Sequence, residues 1–391
     1  MRQTLPVLLC LAAVSSAAET YSNAAIRSGP EPGVRFSSGL MVCDETLRNG
    51  HWMNRYWLAT GLIKPEFHLP AGRATPDSFE LAIEGQELGG SWRWEGASEK
   101  ALHNPEALDV AVTLASSARP IKLVVHTVMT GGPVMVRWLE ITNTGAKPTA
   151  ITRVSPWSGE LWDTAQYRER LAPGQAAFEF AYAQYQEWGH EGAWRFEPLS
   201  NTTKTVAGTR GRSGWGHPTF FARNNATGEW FVASLGWSGN WSMSLTGDEQ
   251  PNDRARLSFR LGPAAADPVL RVVAPGETVK TGETHMLLMN ADLDHVIQAL
   301  HEHVRRNVLP PPIPGREYQV ESNHRGYIVD HEDEAGLKRE VDLAASVGAE
   351  EFLIDAGWYG PEPNRWAQNV GDWYAGAWLP NDITPVREYA R

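Results

Sequence analysis

Apolar and polar residues alternate in short runs through most of the first 280 or so positions of the chain. An apolar side chain at every second position is typical of β-strands that bury one face. Gly, Asn and Pro turn signals separate these runs, and helical periodicity hardly interrupts them. We therefore predict one large antiparallel β-sandwich between about residues 24 and 279. The clearest strand candidates are Ser78–Leu88, Ala107–Ser116, Ile121–Thr130, Pro133–Gly145, Ala176–Tyr185, Glu229–Trp237 and Arg254–Gly262.

The pattern becomes helical near residue 290. Leu293–Val308 repeats apolar residues at helical spacing, and the segment LPPPIPGR (Leu309–Arg316) that follows predicts a stiff linker, since proline fixes φ. Two histidines on this helix, His301 and His303, stand two positions apart and would point to different sides. We interpret them as part of a solvated polar face rather than as metal ligands.

A different fold class is predicted after the linker. A strand over Arg316–Ser322, a helix over Glu332–Val347 that ends before Gly348, and a strand over Glu350–Asp355 form one β-α-β unit. Such units build parallel sheets and (β/α) barrels, and two strands cannot close a barrel. We expect this second domain to be incomplete in the sequence, which would make the chain a piece of a longer protein.

Composition narrows the class of protein. The formal net charge of −11 and the absence of a basic run argue against a nucleic-acid partner. The N-terminal residues 1–18 combine Arg2, an apolar stretch and a small-residue cleavage pattern, which predicts a secretory signal peptide. Its removal would leave Cys43 as the lone cysteine, which suggests a bacterial periplasmic or extracellular protein. No other stretch reaches the roughly 18 apolar residues of a membrane span.

The clearest chemical signal is FLIDAGWYG, residues 352–360. Asp355 ends a predicted buried strand, and ligands of parallel α/β folds bind at the carboxyl ends of strands. Trp358 follows the flexible Gly357, and Asp372 and Trp373 come shortly after it. Carboxylates accept hydroxyl protons and indole rings cover C–H faces, so this set suits a sugar. The alternative is a structural Asp that caps a loop, with the Trp residues packed against the upstream domain.

These motifs resemble those of glycoside hydrolase family 36, the α-galactosidases. EEFLIDAGWYG and VGDWYAGAWLP (Glu350–Gly360 and Val370–Pro380) look like the start of that family's catalytic barrel. Upstream, VRWLEITNTG (Val136–Gly145) and GRSGWGHPTFFARNNATGEWFVASLGWSGNW (Gly211–Trp241) resemble motifs of its β-domain, in the family's order.

The resemblance implies a multi-domain β and α/β protein, in which an antiparallel β-supersandwich precedes the first βα units of a (β/α)8 barrel. The expected division is a signal peptide at 1–18, the supersandwich at 19–290, a helix and Pro-rich linker at 291–315, and the start of the barrel at 316–391. The implied reaction is retaining hydrolysis of terminal α-galactosides, which uses two carboxylates and neither a cofactor nor a metal. The family's two catalytic Asp residues lie on later barrel strands, so they are expected beyond Arg391, and the chain itself is expected to be inactive.

The resemblance also assigns substrate-binding roles. Asp355 matches the first of two family Asp residues that hold galactose hydroxyls, whereas the second is Ala356 here. Trp373 matches a Trp that lines the galactose subsite, with Asp372 beside it, and Trp358 would form a wall of the same site. The segment Ser322–Tyr327 departs from relatives that carry a Trp near Arg325, so no role is assigned there.

Several functional hypotheses stay open at this point. The first is an α-galactosidase-like enzyme whose partner is an α-galactoside oligosaccharide, and Ala356 leaves α-N-acetylgalactosaminides as substrates in place of galactosides. The second is a non-catalytic carbohydrate-binding module, and the third a general β-sandwich scaffold. Further βα units in the downstream reading frame would distinguish the enzyme from the module. A homo-oligomer is compatible with the sequence, which does not fix the oligomeric state.

Overall fold

The computed structural model describes residues 21–59, 75–102, 106–183, 189–190, 192–211, 216–265, 269–315, 319–324, 333–363 and 365–391. The predicted signal peptide, residues 1–18, lies outside these ranges. The chain divides into two compact units, Met1–Val308 and Leu309–Arg391. Within the described residues, no helix combines the length and the apolar character needed to cross a bilayer.

The first unit is built from short strands, and its described strands pair only in antiparallel fashion. Numbered along the chain, they are β1 (Ser22–Arg27), β2 (Gly33–Ser38), β3 (Met41–Arg48), β4 (His51–Leu58), β5 (Glu80–Ile83), β6 (Gln86–Glu87), β7 (Trp92–Ala101), β8 (Leu108–Ser116), β9 (Ile121–Met129), β10 (Val134–Asn143), β11 (Thr149–Ser155), β12 (Trp157–Ala165), β13 (Phe178–Ala183), β14 (Trp194–Leu199), β15 (Thr202–Gly208), β16 (Thr219–Asn224), β17 (Glu229–Gly236), β18 (Trp241–Gln250), β19 (Arg254–Pro263), β20 (Arg271–Val273), β21 (Thr278–Lys280) and β22 (Glu283–Asn290).

These strands form one large sheet and three small ones among the described residues. The ten-stranded sheet has the order β14-β13-β16-β17-β22-β10-β9-β8-β7, with β21 paired to β10. The four-stranded sheets have the orders β1-β2-β3-β4, β20-β11-β5-β6 and β12-β19-β18-β15. A single apolar core takes side chains from all four sheets, for example Val34, Leu81, Val112 and Leu257. Such packing of sheets on one core is the sandwich architecture that the alternating pattern predicts.

The burial of β8 shows why the alternation specifies strands. Val110, Val112 and Leu114 are 0% exposed, whereas the residues between them are partly exposed. Period-2 burial of this kind fixes which face of a strand meets the core. The predicted strands at Ala107–Ser116, Ile121–Thr130, Pro133–Gly145, Glu229–Trp237 and Arg254–Gly262 agree with the observed ones to within one or two residues at each end.

One predicted strand is wrong. Ser78–Leu88 is not a single strand but a tight hairpin of β5 and β6. Glu84 and Gly85 have φ values of +52° and +81°, the left-handed conformations that a two-residue hairpin turn requires. The apolar alternation of Phe79, Leu81 and Ile83 ends before the turn, and the predicted strand wrongly continued past it to Leu88.

The abundant tryptophan is largely core material. Trp52, Trp157 and Trp241 are among the largest fully buried side chains. The ring centroid of Trp157 lies 5.4 Å from that of Trp57, in a tilted contact. Large rings fill the space between the sheets, because an interior must be packed without voids.

Gly262 on β19 provides a packing test. A Cβ there would stand 2.2 Å from the carbonyl oxygen of Val154 on β11, where backbone meets backbone. We expect Gly262→Ala to lower the free energy of unfolding by about 1–3 kcal/mol, measured by urea denaturation. Gly132→Ala, whose added Cβ meets no atom within 4 Å, is the matched control and should change stability little. Equal stability of the two variants would contradict the expectation.

The helix α1 (Leu293–His303) covers the outer face of the large sheet. Asp292 caps its N-terminus by accepting a hydrogen bond from the backbone N–H of His295. Val296 is fully buried against a cluster that includes Val134, Trp230 and Leu287. The predicted helix over Leu293–Val308 is confirmed, although its last turn, Val304–Val308, is π-helical.

The interpretation of His303 as a solvated residue is wrong. His303 is 5% exposed, while His301 is exposed as expected. The His303 ring packs against His285 of β22, and its Nε2 atom lies 2.9 Å from His285 Nδ1. The helix sequence alone does not reveal that His303 is buried, because its partner, His285, lies on β22.

The second unit contains the predicted β-α-β unit. Its elements are β23 (Glu321–Asn323), α2 (Glu334–Ser346), β24 (Glu351–Leu353) and α3 (Thr384–Tyr389), and β23 pairs with β24 in parallel. Three residues of the predicted strand Arg316–Ser322, residues 316–318, lie outside the described part of the chain. The helix packs through Leu337 and Val341 on a small core with Leu379 and Val386.

The ends of α2 follow their local signals. Asp333 caps the N-terminus, with its Oδ1 atom accepting from the Gly336 N–H at 2.8 Å. At the C-terminus Gly348 has φ +84°, its N–H donates to Ala345 O, and the Ala349 N–H donates to Ala344 O. These two hydrogen bonds cap the C-terminus of α2 at Gly348, as the sequence predicts.

Candidate functional site

The candidate site lies where the two parallel strands end. Asn323 is the last residue of β23, and Asp355 follows the last residue of β24 by two positions. Because parallel strands end at the same edge, the two side chains come together. Asn323 Nδ2 donates to Asp355 Oδ2 at 3.1 Å, and the Ala356 N–H donates to Asp355 Oδ1 at 2.7 Å. The carboxylate is therefore held in one orientation by an amide and a backbone N–H.

His324 supports the backbone of this corner from beneath. It is 2% exposed, and its Nδ1 accepts a hydrogen bond from the Asp355 N–H at 2.8 Å. An accepting Nδ1 carries no proton, so the neutral ring holds its proton on Nε2. His324 thus fixes the point at which the chain leaves β24.

An aromatic group stands beside the carboxylate, centred on Tyr359. The Tyr359 ring makes edge contacts with Trp358 at 5.3 Å and with Trp373 at 4.6 Å between centroids. Burial raises the pKa of the Tyr359 hydroxyl, and the nearby charge of Asp355 raises it further. Tyr359 is 5% exposed, whereas Trp373 is 60% exposed, so Trp373 offers an open ring face to solvent.

Backbone hydrogen bonds join the two segments that carry these rings. The Gly360 N–H donates to Tyr374 O and the Gly376 N–H to Trp358 O, each at 2.9 Å. Trp378 Nε1 donates to Gly357 O at 3.0 Å. Gly360 has φ +92°, a conformation that favours glycine, and a Cβ there would meet the Asn369 side chain. The loop after β24 is therefore a fixed scaffold.

The four predicted site residues differ in their surroundings. Trp358 and Trp373 contact the ring of Tyr359, and the charge of Asp355 acts on its hydroxyl. Trp358 is half-buried and packs against the small core of the second unit. Asp372 is exposed, and its backbone forms the turn that carries Trp373. Within the described residues, the Asp372 side chain has no hydrogen bond that joins it to Asp355.

Asn323, His324 and Tyr359 were not predicted as site residues from the sequence. The end of the first predicted strand pointed to the place of Asn323, but nothing local marks that amide as a partner of Asp355. Of the segment Ser322–Tyr327 that departs from the family, residues 325–327, including Arg325, lie outside the described residues.

The site chemistry is that of binding polar ligands with C–H faces. One oriented carboxylate accepts protons from hydroxyl groups, an amide both donates and accepts, and an exposed indole covers an apolar face. In the described part of the chain, no three His, Cys, Asp or Glu side chains are grouped so as to hold a metal ion.

A separate cavity lies in the first unit. It measures about 380 Å³ and is lined by residues that include His51, Asp77, Glu87 and Arg153. His51 Nδ1 and Asp77 Oδ1 are 3.0 Å apart, and Arg153 pairs with Glu87. Burial raises the pKa of Asp77 to about 6, although the neighbouring His51 opposes the shift. None of the predicted site residues lines this cavity.

Comparisons with known proteins agree with the resemblance in the motifs. Residues 81–259 match the glycosyl hydrolase family 36 N-terminal domain. The chain is 24% identical over 324 residues to Alpha-galactosidase 1 of Pediococcus pentosaceus. This alignment covers 79% of this chain and 41% of that protein. It is 28% identical over 201 residues to Probable alpha-galactosidase C of Aspergillus terreus, covering 49% of this chain and 26% of that protein.

Solved structures share the fold. The galactosidase domain of the alpha-galactosidase-sucrose kinase AgaSK aligns with a TM-score of 0.72 at 18% identity, over 94% of this chain and 56% of that chain. A variant of the GH36 alpha-galactosidase AgaA from Geobacillus stearothermophilus, in complex with stachyose, aligns with a TM-score of 0.72 at 18% identity, over 92% of this chain and 55% of that chain.

The chain spans less than half the length of the curated relatives it matches. Its matched segment covers strands from β5 to β19 of the sandwich, and the structural likeness extends into the second unit. The chain thus resembles the N-terminal portion of glycosyl hydrolase family 36 proteins, with the family match at residues 81–259.

Proposed function

We propose that this chain is part of an α-galactosidase-like retaining glycoside hydrolase that acts on terminal α-galactosides. The observation that carries the proposal is the Asp355–Asn323 pair at the carboxyl ends of two parallel strands, near Tyr359, whose ring contacts the exposed Trp373. Its relatives named above are α-galactosidases, and the position of the site is the one that (β/α) folds use for ligands.

In this proposal Asp355 binds the sugar rather than cleaving it. Retaining hydrolysis needs two carboxylates about 5–5.5 Å apart, one a nucleophile and the other an acid/base. The described neighbours of the Asp355 carboxylate are an amide and a backbone N–H, which suit hydroxyl recognition. As the family resemblance implies, the two catalytic carboxylates would come from the part of the protein beyond Arg391.

The remaining site residues take supporting roles. Trp373 would cover the C–H face of the galactose ring, with Trp358 as the wall behind Tyr359 and Asp372 at the rim. Asn323 would supply a polar group beside Ala356, where the family pattern has a second carboxylate. This replacement is the specific reason to keep α-N-acetylgalactosaminides as a second candidate substrate class.

The test is hydrolysis by the protein encoded by the whole reading frame that contains this chain. We expect release of nitrophenol from aryl α-galactoside, and of galactose from raffinose. Faster cleavage of aryl α-N-acetylgalactosaminide would overturn the substrate assignment in favour of the second candidate. Binding of galactosides without any hydrolysis would favour the carbohydrate-binding module instead.

Trp373→Ala should weaken galactose binding by roughly 2- to 13-fold, because the loss of a stacked ring costs about 0.5–1.5 kcal/mol. Titration calorimetry with galactose measures the change. Trp237→Ala removes an indole that is 43% exposed in the first unit and serves as the matched control, with no expected change. An equal loss in both variants would argue against a stacking role for Trp373.

The N-terminal pattern leads us to propose export as well. N-terminal sequencing of the protein recovered from the periplasm or medium would place the cleavage near residue 18, and recovery of uncleaved protein only would argue against it.

A further inference from the structure

The end of α1 is attached to the large sheet by two buried histidines. His303, the last residue of α1, and His285 of β22 are separated by 2.9 Å between Nε2 and Nδ1. Their ring centroids lie 5.1 Å apart. His303 is 5% exposed and the His285 side chain 16%. The contact joins the sheet to the segment that leads into residue 309.

The neighbours of the pair determine its protonation. Asn307 Nδ2 lies 3.3 Å from His303 Nδ1 and 3.3 Å from His303 O, so its amide donates to both atoms. A His303 Nδ1 that accepts leaves the proton on Nε2, which then donates to His285 Nδ1. The contact is therefore made by two neutral rings, since a proton on His285 Nδ1 would point directly at the N–H of His303.

Among the described residues, only a few charged groups lie near the pair. On the strand of His285 itself, Glu283 Oε2 is 4.0 Å from His285 Nε2, and Glu283 also pairs with Lys280 at 2.9 Å. The cross-strand partners of His285 are Ser234 on β17 and Val136 on β10, and neither carries a charge. On the helix side, Glu302 pairs with Arg305 and Arg306. Arg137, next to Val136, pairs inside the core with Glu45.

We propose that the His285–His303 contact is a pH-sensitive latch, which holds the C-terminal end of α1 on the sheet at neutral pH and releases His303–Val308 in acid. Protonation of His285 at Nδ1 removes the acceptor of the contact between the rings, and protonation of His303 at Nδ1 removes the acceptor of the Asn307 amide. Protonation of both rings places two cations side by side. The first half of α1 stays attached in acid, because Val296 is held by apolar contacts that do not titrate.

The direction of the effect follows from the electrostatics. Burial, and after it the charge of a protonated His285, lower the pKa of His303 to about 4. Burial also lowers the pKa of His285, and Glu283 partly opposes this. A histidine whose pKa is lowered by docking favours the docked state above its free value near 6.5, and this preference is lost as pH falls toward the docked value. For His303 alone, the opening equilibrium should rise about 30-fold between pH 8 and pH 5.

Amide hydrogen exchange on the 391-residue chain tests the latch. After correction for intrinsic rates, we expect the exchange of amides in residues 303–308 to rise about 30-fold or more from pH 8 to pH 5. Amides of β9 and β10 should change little over this range. An equal rise in those strands would mean global unfolding and would overturn the proposal. Exchange in residues 303–308 that does not change with pH would overturn it as well.

Two variants separate the pair from the helix. His303→Leu should reduce the pH-dependent rise to a few-fold, whereas His301→Leu, on the exposed side of the same helix, should leave it unchanged. If His303→Leu frays the segment at every pH, the wild-type titration of the His303 ring by NMR decides. A midpoint well below 6.5 supports the latch, and a midpoint at or above 6.5 overturns it.

Discussion

Arg137→Met is expected to lower the free energy of unfolding by about 3–5 kcal/mol, because it leaves the Glu45 carboxylate buried without its cation. Arg137 and Glu45 are both 0% exposed, and they form two parallel hydrogen bonds of 2.8 Å. The guanidinium also donates from Nε to Thr127 at 3.0 Å and lies 4.0 Å from the centroid of the Trp157 ring. Urea denaturation, monitored by tryptophan fluorescence, measures the loss.

Two further variants test whether the loss of stability comes from the buried, unpaired charge of Glu45. Arg119→Met removes an exposed ion pair with Glu84 and should cost less than about 1 kcal/mol. The double variant Glu45→Leu with Arg137→Met removes both charges and should be more stable than Arg137→Met alone, because no uncompensated charge stays in the core. If Arg137→Met were no worse than Arg119→Met, the pair would not be the buried contact described here.

The second large effect is expected at the candidate site. Asp355→Ala should raise the dissociation constant for galactose by at least about 10²-fold, if the carboxylate accepts two sugar hydroxyls worth about 1.5–3 kcal/mol each. The kcat/KM for an aryl α-galactoside, measured on the protein from the whole reading frame, should fall by a similar factor. Asp355→Asn, which keeps the shape but loses the charge, should lie between wild type and Asp355→Ala.

A matched control shows whether the loss is local. Asp342→Ala removes a carboxylate of α2 that accepts from the Tyr389 hydroxyl at 2.9 Å, away from the site. It should leave galactose binding unchanged, and circular dichroism should show that both variants keep the fold. If Asp355→Ala bound galactose with wild-type affinity, the Asp355 carboxylate would not be part of the binding site.

The strands and helices were largely predictable, because each depends on a local pattern. The alternation in β8, the caps at Asp292 and Asp333 and the stop at Gly348 act over a few residues. The hairpin at Glu84–Gly85 was missed because its second strand, Gln86–Glu87, is short and polar and has no apolar alternation of its own.

The candidate site was half predictable. Asp355 and Trp373 follow from a strand end and from the family motif, which lie in one stretch of chain. Asn323 lies 32 positions before Asp355 and becomes its partner only because β23 and β24 pair in parallel register. The ring of Tyr359 between Trp358 and Trp373 likewise depends on how the loop folds back.

The sequence by itself determined the antiparallel β-rich first unit, the β-α-β start of the second and the carboxylate–tryptophan chemistry at its strand end. These features follow from periodicity and short-range signals. Only the tertiary structure decided that His303 is buried against His285, that Arg137 meets Glu45 across 92 positions, and that Asn323 orients Asp355. The physical reason is that burial and pairing of polar groups depend on partners from distant elements, and no local pattern encodes them.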